Sequence, residues 1–271
     1  MQEEEKDELI QPQEPQPEMP PAPDPQFSDS LQALMRFLRT PTQSTAALNG
    51  HAPLRTFFHM LLLSFGLSML SMLLMSAFQK SGLLPELPHA MEDIMKQMPL
   101  LLVFVLVALF MPALEELAFR LWLVYRPLYV GVSLWLIAFF LSQSFLQSGL
   151  ALAGYAVLGL AALATIVLLT LGPLARQGLE QLYTTRYRWI FWGSTLLFAL
   201  VHLINFKPTA QVLLFAPLLV LPQFLLGLIL GYVRVRQGLG WAIALHGVYN
   251  FIILGLAYWG MQAESPLPAG G

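Results

Sequence analysis

The sequence contains no cysteine. Disulfides, thiolate nucleophiles and cysteine-ligated metal sites are therefore excluded. It is also poor in charge: 11% of its 271 residues are Asp, Glu, Lys or Arg, against about 25% in soluble globular chains. With 56% hydrophobic residues and a mean hydropathy of +0.63, water is not its main solvent. The net charge of −2 gives no reason to expect a nucleic-acid partner. No polar connection is long enough to bury a core, so no soluble domain is expected, and no repeat period stands out. There is no HExxH segment of the kind that holds zinc on one helix. A clear Ser–His pair is also lacking, since Ser194 lies eight residues before His202 on the same predicted helix.

What charge there is crowds the N-terminus, as in Glu3-Glu4-Glu5, beside prolines such as Pro20-Pro21-Ala22-Pro23. Such a segment buries too little apolar surface to offset its ordering entropy. With no basic start and no apolar run it does not read as a signal peptide. Residues 1–50 are read as an acidic, Pro-rich disordered tail that includes a short helix. Phe27, Leu31, Leu34, Met35 and Leu38 recur at helical spacing there, beside Arg36 and Arg39, as in helices that lie on a membrane surface. Residues 51–262 form the transmembrane part, and residues 263–271 a flexible end.

A spanning helix needs about 20 mostly apolar residues. Seven stretches qualify: Leu54–Phe78, Met98–Tyr125, Val130–Leu146, Leu150–Leu171, Trp189–Phe206, Val212–Val233 and Trp241–Tyr258. They are continuous and long, which points away from a barrel of short alternating strands. The expectation is an all-α, polytopic helical bundle, with a tight hairpin at Gln147-Ser148-Gly149 and close helix contact at Gly154 and Gly159. Arg36, Arg39, Arg55, Arg126, Arg176, Arg186, Arg188, Arg234 and Arg236 fall on one side of this threading, and Lys80, Lys96 and Lys207 on the other. The positive-inside bias then sets the N-terminus in the cytoplasm and the C-terminus outside.

Against the apolar background a few polar groups stand out: Glu115, Glu116 and Arg120 in the second span, His202 and Asn205 in the fifth, His246 and Asn250 in the seventh. A charge at the bilayer centre costs about 2.5–3.5 kcal/mol on insertion scales, and such residues usually face the bundle interior and carry function. Glu116 and Arg120, four apart, share a helical face and can pair. Glu115 is turned by about 100° from Glu116 and can point elsewhere. Phe198 and His202, and likewise His246 and Asn250, are four apart. Each group has an ordinary structural reading as a clamp or an interhelical hydrogen-bond partner; their co-occurrence carries the functional one. Counted from Arg186, His202 lies about 24 Å along an ideal helix, deeper than its supposed partners unless the fifth helix starts outside the membrane. His51, His59 and His89 are given no role, and Tyr249 is read as packing.

Glu115-Glu116-Leu117-Ala118-Phe119-Arg120 resembles the EExxxR motif of the CPBP family of intramembrane proteases, which includes the CAAX prenyl endopeptidases and bacterial Abi-type proteins. Phe198-Ala199-Leu200-Val201-His202 resembles its FxxxH motif, and His246-Gly247-Val248-Tyr249-Asn250 its HxxxN motif. All three occur in order, each on a predicted span, and the resemblance covers roughly Pro99 to Tyr258. It implies that Glu115 activates a water, that His202 helps orient it, and that His246 and Asn250 stabilise the oxyanion. Glu116 and Arg120 would fix the geometry. The family picture exists in a metalloprotease form and in a form with a glutamate-activated water. The cofactor is thus open, with zinc held by Glu115, His202 and His246 as the metal version. The implied partners are the lipid bilayer and membrane-bound protein or peptide substrates, and the implied location is a bacterial inner membrane.

Peptide hydrolysis needs an activated water and donors for the developing oxyanion, and these residue types supply both. Two other classes stay open. One is a non-catalytic membrane scaffold or immunity protein that keeps the motif residues for structure. The other is a transporter or proton relay, which Glu and His chains also mark, although the Pro217- and Pro222-interrupted sixth span has no counterpart in another half.

Overall fold

The computed structural model describes residues 25–43, 53–84, 97–206 and 209–264. The acidic tail before Pro25, His51, His89, Lys96, Lys207 and the end after Glu264 lie outside the described residues. Ten helical elements are used below: α1 (Phe27–Arg39), α2 (Pro53–Lys80), α3 (Leu100–Leu123), α4 (Pro127–Gln147), α5 (Ala151–Thr170), α6 (Pro173–Thr185), α7 (Tyr187–Val201), α8 (Ala210–Leu219), α9 (Leu221–Gln237) and α10 (Leu239–Glu264). The all-helical expectation holds. Among the described residues six helices are long and apolar enough to cross a membrane, and α8 with α9 makes a seventh if that pair, bent by 40°, counts as one span.

Proline explains where the helices bend. Pro cannot donate a backbone hydrogen bond, and its ring presses on the carbonyl four residues back. Pro217 and Pro222 flank the bend at Val220 between α8 and α9. Pro112 follows a π turn over Val105–Phe110 within α3. Chain reversals use the backbone freedom of glycine: Gly149 (φ +77°) closes the α4–α5 hairpin and Gly238 (φ +103°) separates α9 from α10, positive φ values that glycine adopts without strain.

Between helices in lipid, close packing replaces the hydrophobic drive, so small residues sit at contacts. Gly227 and Gly231, one turn apart on α9, do this for the core. A Cβ on Gly231 would lie 2.7 Å from the Phe191 ring, and one on Gly227 would lie 3.1–3.2 Å from Phe198, Arg120 and Thr195. On the α4–α5 hairpin, Gly154 lies against the Ser142 carbonyl as expected, but a Cβ on Gly159 would meet open space. Gly131 of α4, packed on Thr165, is the second close contact instead. The buried core gathers α2, α3, α7, α9 and α10 around Phe191, Phe198, Phe119, Leu230 and Leu245.

Two further elements differ from the sequence reading. α1 forms, and its Leu34 and Phe37 are buried against the bundle: the Phe37 ring meets Phe191 at 5.1 Å and Tyr232 at 5.4 Å. α6 was not anticipated, because its Gly178, Gln177, Glu180 and Gln181 read as a polar connection. The structure makes it a helix begun by Pro173, whose fixed φ suits a first helical position.

Candidate active site

The C-terminal end of α3 is where the first motif is fixed. A helix end leaves its last carbonyls without partners, and here five consecutive ones receive side-chain donors. Phe119 O accepts from Trp122 Nε1 at 2.8 Å and from the Ser194 hydroxyl. Arg120 O and Leu121 O accept from Arg234 Nε and Nη2 at 3.0 and 3.3 Å. Trp122 O accepts from the Tyr183 hydroxyl, and Leu123 O from the Tyr187 hydroxyl at 3.0 Å. Arg234, read from sequence as a loop cation, is in fact buried as a cap on α3. Ser194 is likewise engaged with α3. Burial raises the pKa of the Tyr183 phenol, which keeps its donor proton in place.

From this anchored end α3 projects its polar face inward. Glu116 and Arg120 are fully buried (0% and 1% exposed) and their side chains approach to 3.5 Å. The Arg120 guanidinium lies 3.7 Å over the Phe198 ring, a cation–π contact worth about 2 kcal/mol when desolvated. Gly227 leaves room for it on the other side. Glu116 Oε1 also accepts from His246 Nδ1 at 3.0 Å. The pair therefore orients an imidazole as well as neutralising a charge.

His202 ends α7, where its Nδ1 donates to the Phe198 carbonyl at 2.7 Å and its ring packs edge-on against Phe198 at 4.8 Å. With Nδ1 protonated in both neutral rings, both Nε2 atoms present lone pairs. They meet at Glu115, whose Oε2 lies 3.7 Å from His246 Nε2 and 3.9 Å from His202 Nε2. That oxygen is buried and has no hydrogen-bond partner among the described residues. Three acceptors thus converge on one point. Glu115 and His202 keep 14% and 18% exposure, while His246 keeps 2%. The depth conflict expected for His202 does not arise, because Tyr187 at the start of α7 packs beside Leu123 and the helix runs back along α3 to Glu115.

Asn250 sits apart from this point. Its Nδ2 donates to Val107 O at 3.1 Å, inside the π turn of α3. The need for this donor follows from the sequence. The Met111 N–H bonds Leu106 O, five residues back, and position 112 is proline, which has no N–H. Val107 O is left without either of its usual helical donors, and Asn250 supplies one. Gly247 admits the approach: a Cβ there would lie 2.7 Å from Ala108 O. Asn205 lies in the 3₁₀ turn that follows α7, and no contact joins it to the site. Tyr249 packs on Phe65 and donates to Ser68 at 2.6 Å. His59 pairs with Ser30 at 2.8 Å.

Arg234, Gly247 and the π turn escaped the sequence reading. Pro112 within an apolar span was the available signal for the last of these.

The donor set suits zinc in its chemistry: two imidazole Nε2 atoms, each ring held at Nδ1 by a carboxylate or a carbonyl, plus one carboxylate. Among the described residues, however, no group of three His, Asp or Glu closes to a geometry that could hold a metal ion, so no step below passes through one.

Comparison with curated proteins and with solved structures found no match. The family described as type II CAAX prenyl endopeptidase Rce1-like matches residues 97–252, a stretch longer than half the chain that carries all three motifs, and the chain belongs to that family.

Proposed function

We propose that this protein is an intramembrane endopeptidase in which Glu115 activates the attacking water. One observation carries the reading: a buried Glu115 Oε2 with no hydrogen-bond partner among the described residues, facing two imidazole lone pairs at 3.7 and 3.9 Å. A water that donates to Glu115 and to His202 Nε2 is oriented for attack. Glu115 takes its proton as the oxygen adds to the peptide carbonyl carbon. The negative charge then on the carbonyl oxygen is met by the second N–H of Asn250 and by His246 as Glu115 passes that same proton to its Nε2. Collapse breaks the C–N bond, and the proton leaves with the amine. Glu116 and Arg120 hold His246 in the required tautomer.

The substrates are membrane-tethered proteins or peptides, in keeping with a site on spanning helices. The arginine bias supports an N-terminus in the cytoplasm, and the resemblance to the bacterial members of the family supports an inner-membrane location. Residues 51–262 serve as the protease domain, behind an acidic tail.

The test is proteolysis by purified protein in liposomes, using a panel of membrane-tethered peptides with and without CAAX-type C-termini. Wild type is compared with Glu115→Gln and His202→Ala, with metal content measured on each. Cleavage that both substitutions abolish in folded protein is the expected result. Substituted proteins that cleave as wild type would remove Glu115 from the chemistry, and stoichiometric zinc lost with His202→Ala would replace the metal-free mechanism.

A further inference from the structure

A concavity lies away from the Glu115 site, at the end of the bundle where α2 begins at Pro53 and α9 ends at Gln237. It encloses about 300 Å³ and is lined by Asp29, Ser30 and Arg36 of α1, Thr56 of α2, and Tyr232 and Arg236 of α9. Two guanidinium groups reach it. Arg36 bonds its own helix only through Nε, to Gln32 O at 3.3 Å. Arg236 rests 5.5 Å from the Phe37 ring. Neither has a carboxylate within ion-pair distance among the described residues. Between them stands Tyr232, 1% exposed, whose hydroxyl is buried and has no hydrogen-bond partner among the described residues.

An orphan buried hydroxyl is costly unless something bonds it. Here the hydroxyl and two guanidinium forks all offer donors, which is the chemistry of a phosphate site. The single acid, Asp29, does not answer them. Its Oδ2 accepts the Gln26 N–H at 2.9 Å in the cap of α1, and it stands about 10 Å along the helix from Arg36 at 1.5 Å per residue.

We propose that this concavity binds the phosphate group of a membrane phospholipid, with Arg36, Arg236 and Tyr232 as its donors. Location selects the lipid: the pocket opens where two candidate spans reach their ends, the depth at which headgroups lie. Its volume is at the lower end for ligand pockets, enough for a headgroup while the acyl chains lie along the apolar, exposed outer surfaces of the spans. α1 forms one wall and lies outside residues 97–252, so the site is an addition to the family's matched core.

Native mass spectrometry of the full chain in a sugar-headed detergent tests this. The protein is titrated with phosphatidylglycerol, with diacylglycerol of the same acyl chains, and with inorganic phosphate. The expected result is retention of phosphatidylglycerol at least tenfold better than diacylglycerol. Arg36→Gln with Arg236→Gln should abolish this preference, and Tyr232→Phe, which keeps the ring packing on Phe37, should weaken it about tenfold. Equal retention by wild type and the Tyr232→Phe and double-Gln variants would overturn the proposal. So would arginine-dependent binding of inorganic phosphate without any of the lipid, since the ligand would then be a soluble anion. Proteolysis does not enter the readout, so the result stands apart from the fate of the protease reading.

Discussion

Asn250 on α10 donates to the carbonyl of Val107 on α3 at 3.1 Å, replacing the backbone N–H that Pro112 cannot give. The third motif is thereby tied to the helix that carries the first. Removing the amide with Asn250→Ala should lower stability by about 1–3 kcal/mol, the cost of leaving a part-buried carbonyl unsatisfied. Adding Pro112→Ala restores a backbone donor near Val107 and should recover most of that loss in thermal unfolding. Activity separates the two functions of the amide: if its second N–H serves the oxyanion, the double variant regains stability and stays impaired in kcat.

Glu116 and Arg120 should respond unequally to substitution. Glu116→Ala leaves the Arg120 charge fully buried without its neutralising partner, and breaking a buried pair in this way costs about 3–5 kcal/mol. Replacing both, Glu116→Gln with Arg120→Met, should cost less than Glu116→Ala alone. Melting temperatures in one detergent check the order. Both variants should lose cleavage, since His246 loses its orienting carboxylate.

Gly247→Ala places a methyl group 2.7 Å from the Ala108 carbonyl, a backbone atom that cannot rotate away. Forced overpacking of this kind costs about 1–3 kcal/mol, and the displacement of α10 should carry His246 away from Glu115. Cleavage should fall more than tenfold. Gly159→Ala, where the added Cβ meets nothing within 4 Å, serves as the control and should match wild type in both rate and stability.

Ser194 lies within hydrogen-bond reach of Phe119 and Trp122, which assigns it to the capped end of α3. Ser194→Ala should cost about 1 kcal/mol, a typical net hydrogen bond, and leave catalysis intact. Glu115→Gln should reverse that pattern, with stability kept and the rate reduced at least 100-fold, as for loss of a general base. A Ser194→Ala variant that folds without activity would revive covalent catalysis.

The spans were legible because length and apolarity suffice to mark a membrane helix, and the boundaries of α2, α4 and α5 lie within a few residues of those expected. The site's members were legible because carboxylates and imidazoles are scarce in such helices. Their arrangement was not. Nothing in the residues from Val105 to Phe110 announces a π turn, since the cause sits downstream at Pro112 and the compensation sits on α10 at Asn250. Arg234 was misplaced because a basic residue at a span's end reads as an anchor in the headgroups, and only tertiary structure brings the carbonyls of Arg120 and Leu121 within its reach. α6 was hidden by an apolar content too low for a span, although Ala175, Leu179, Leu182 and Tyr183 recur at helical spacing.

The run of capped carbonyls from Phe119 to Leu123 has a consequence for traffic. Each of these five carbonyls is already bonded by a side chain, while Glu116 Oε2 and Arg120 Nη1 and Nη2, buried above them, have no hydrogen-bond partner among the described residues. The flank bearing Glu115 and His202 keeps 14% and 18% exposure. Traffic to Glu115 therefore comes along this exposed flank and not past the capped carbonyls.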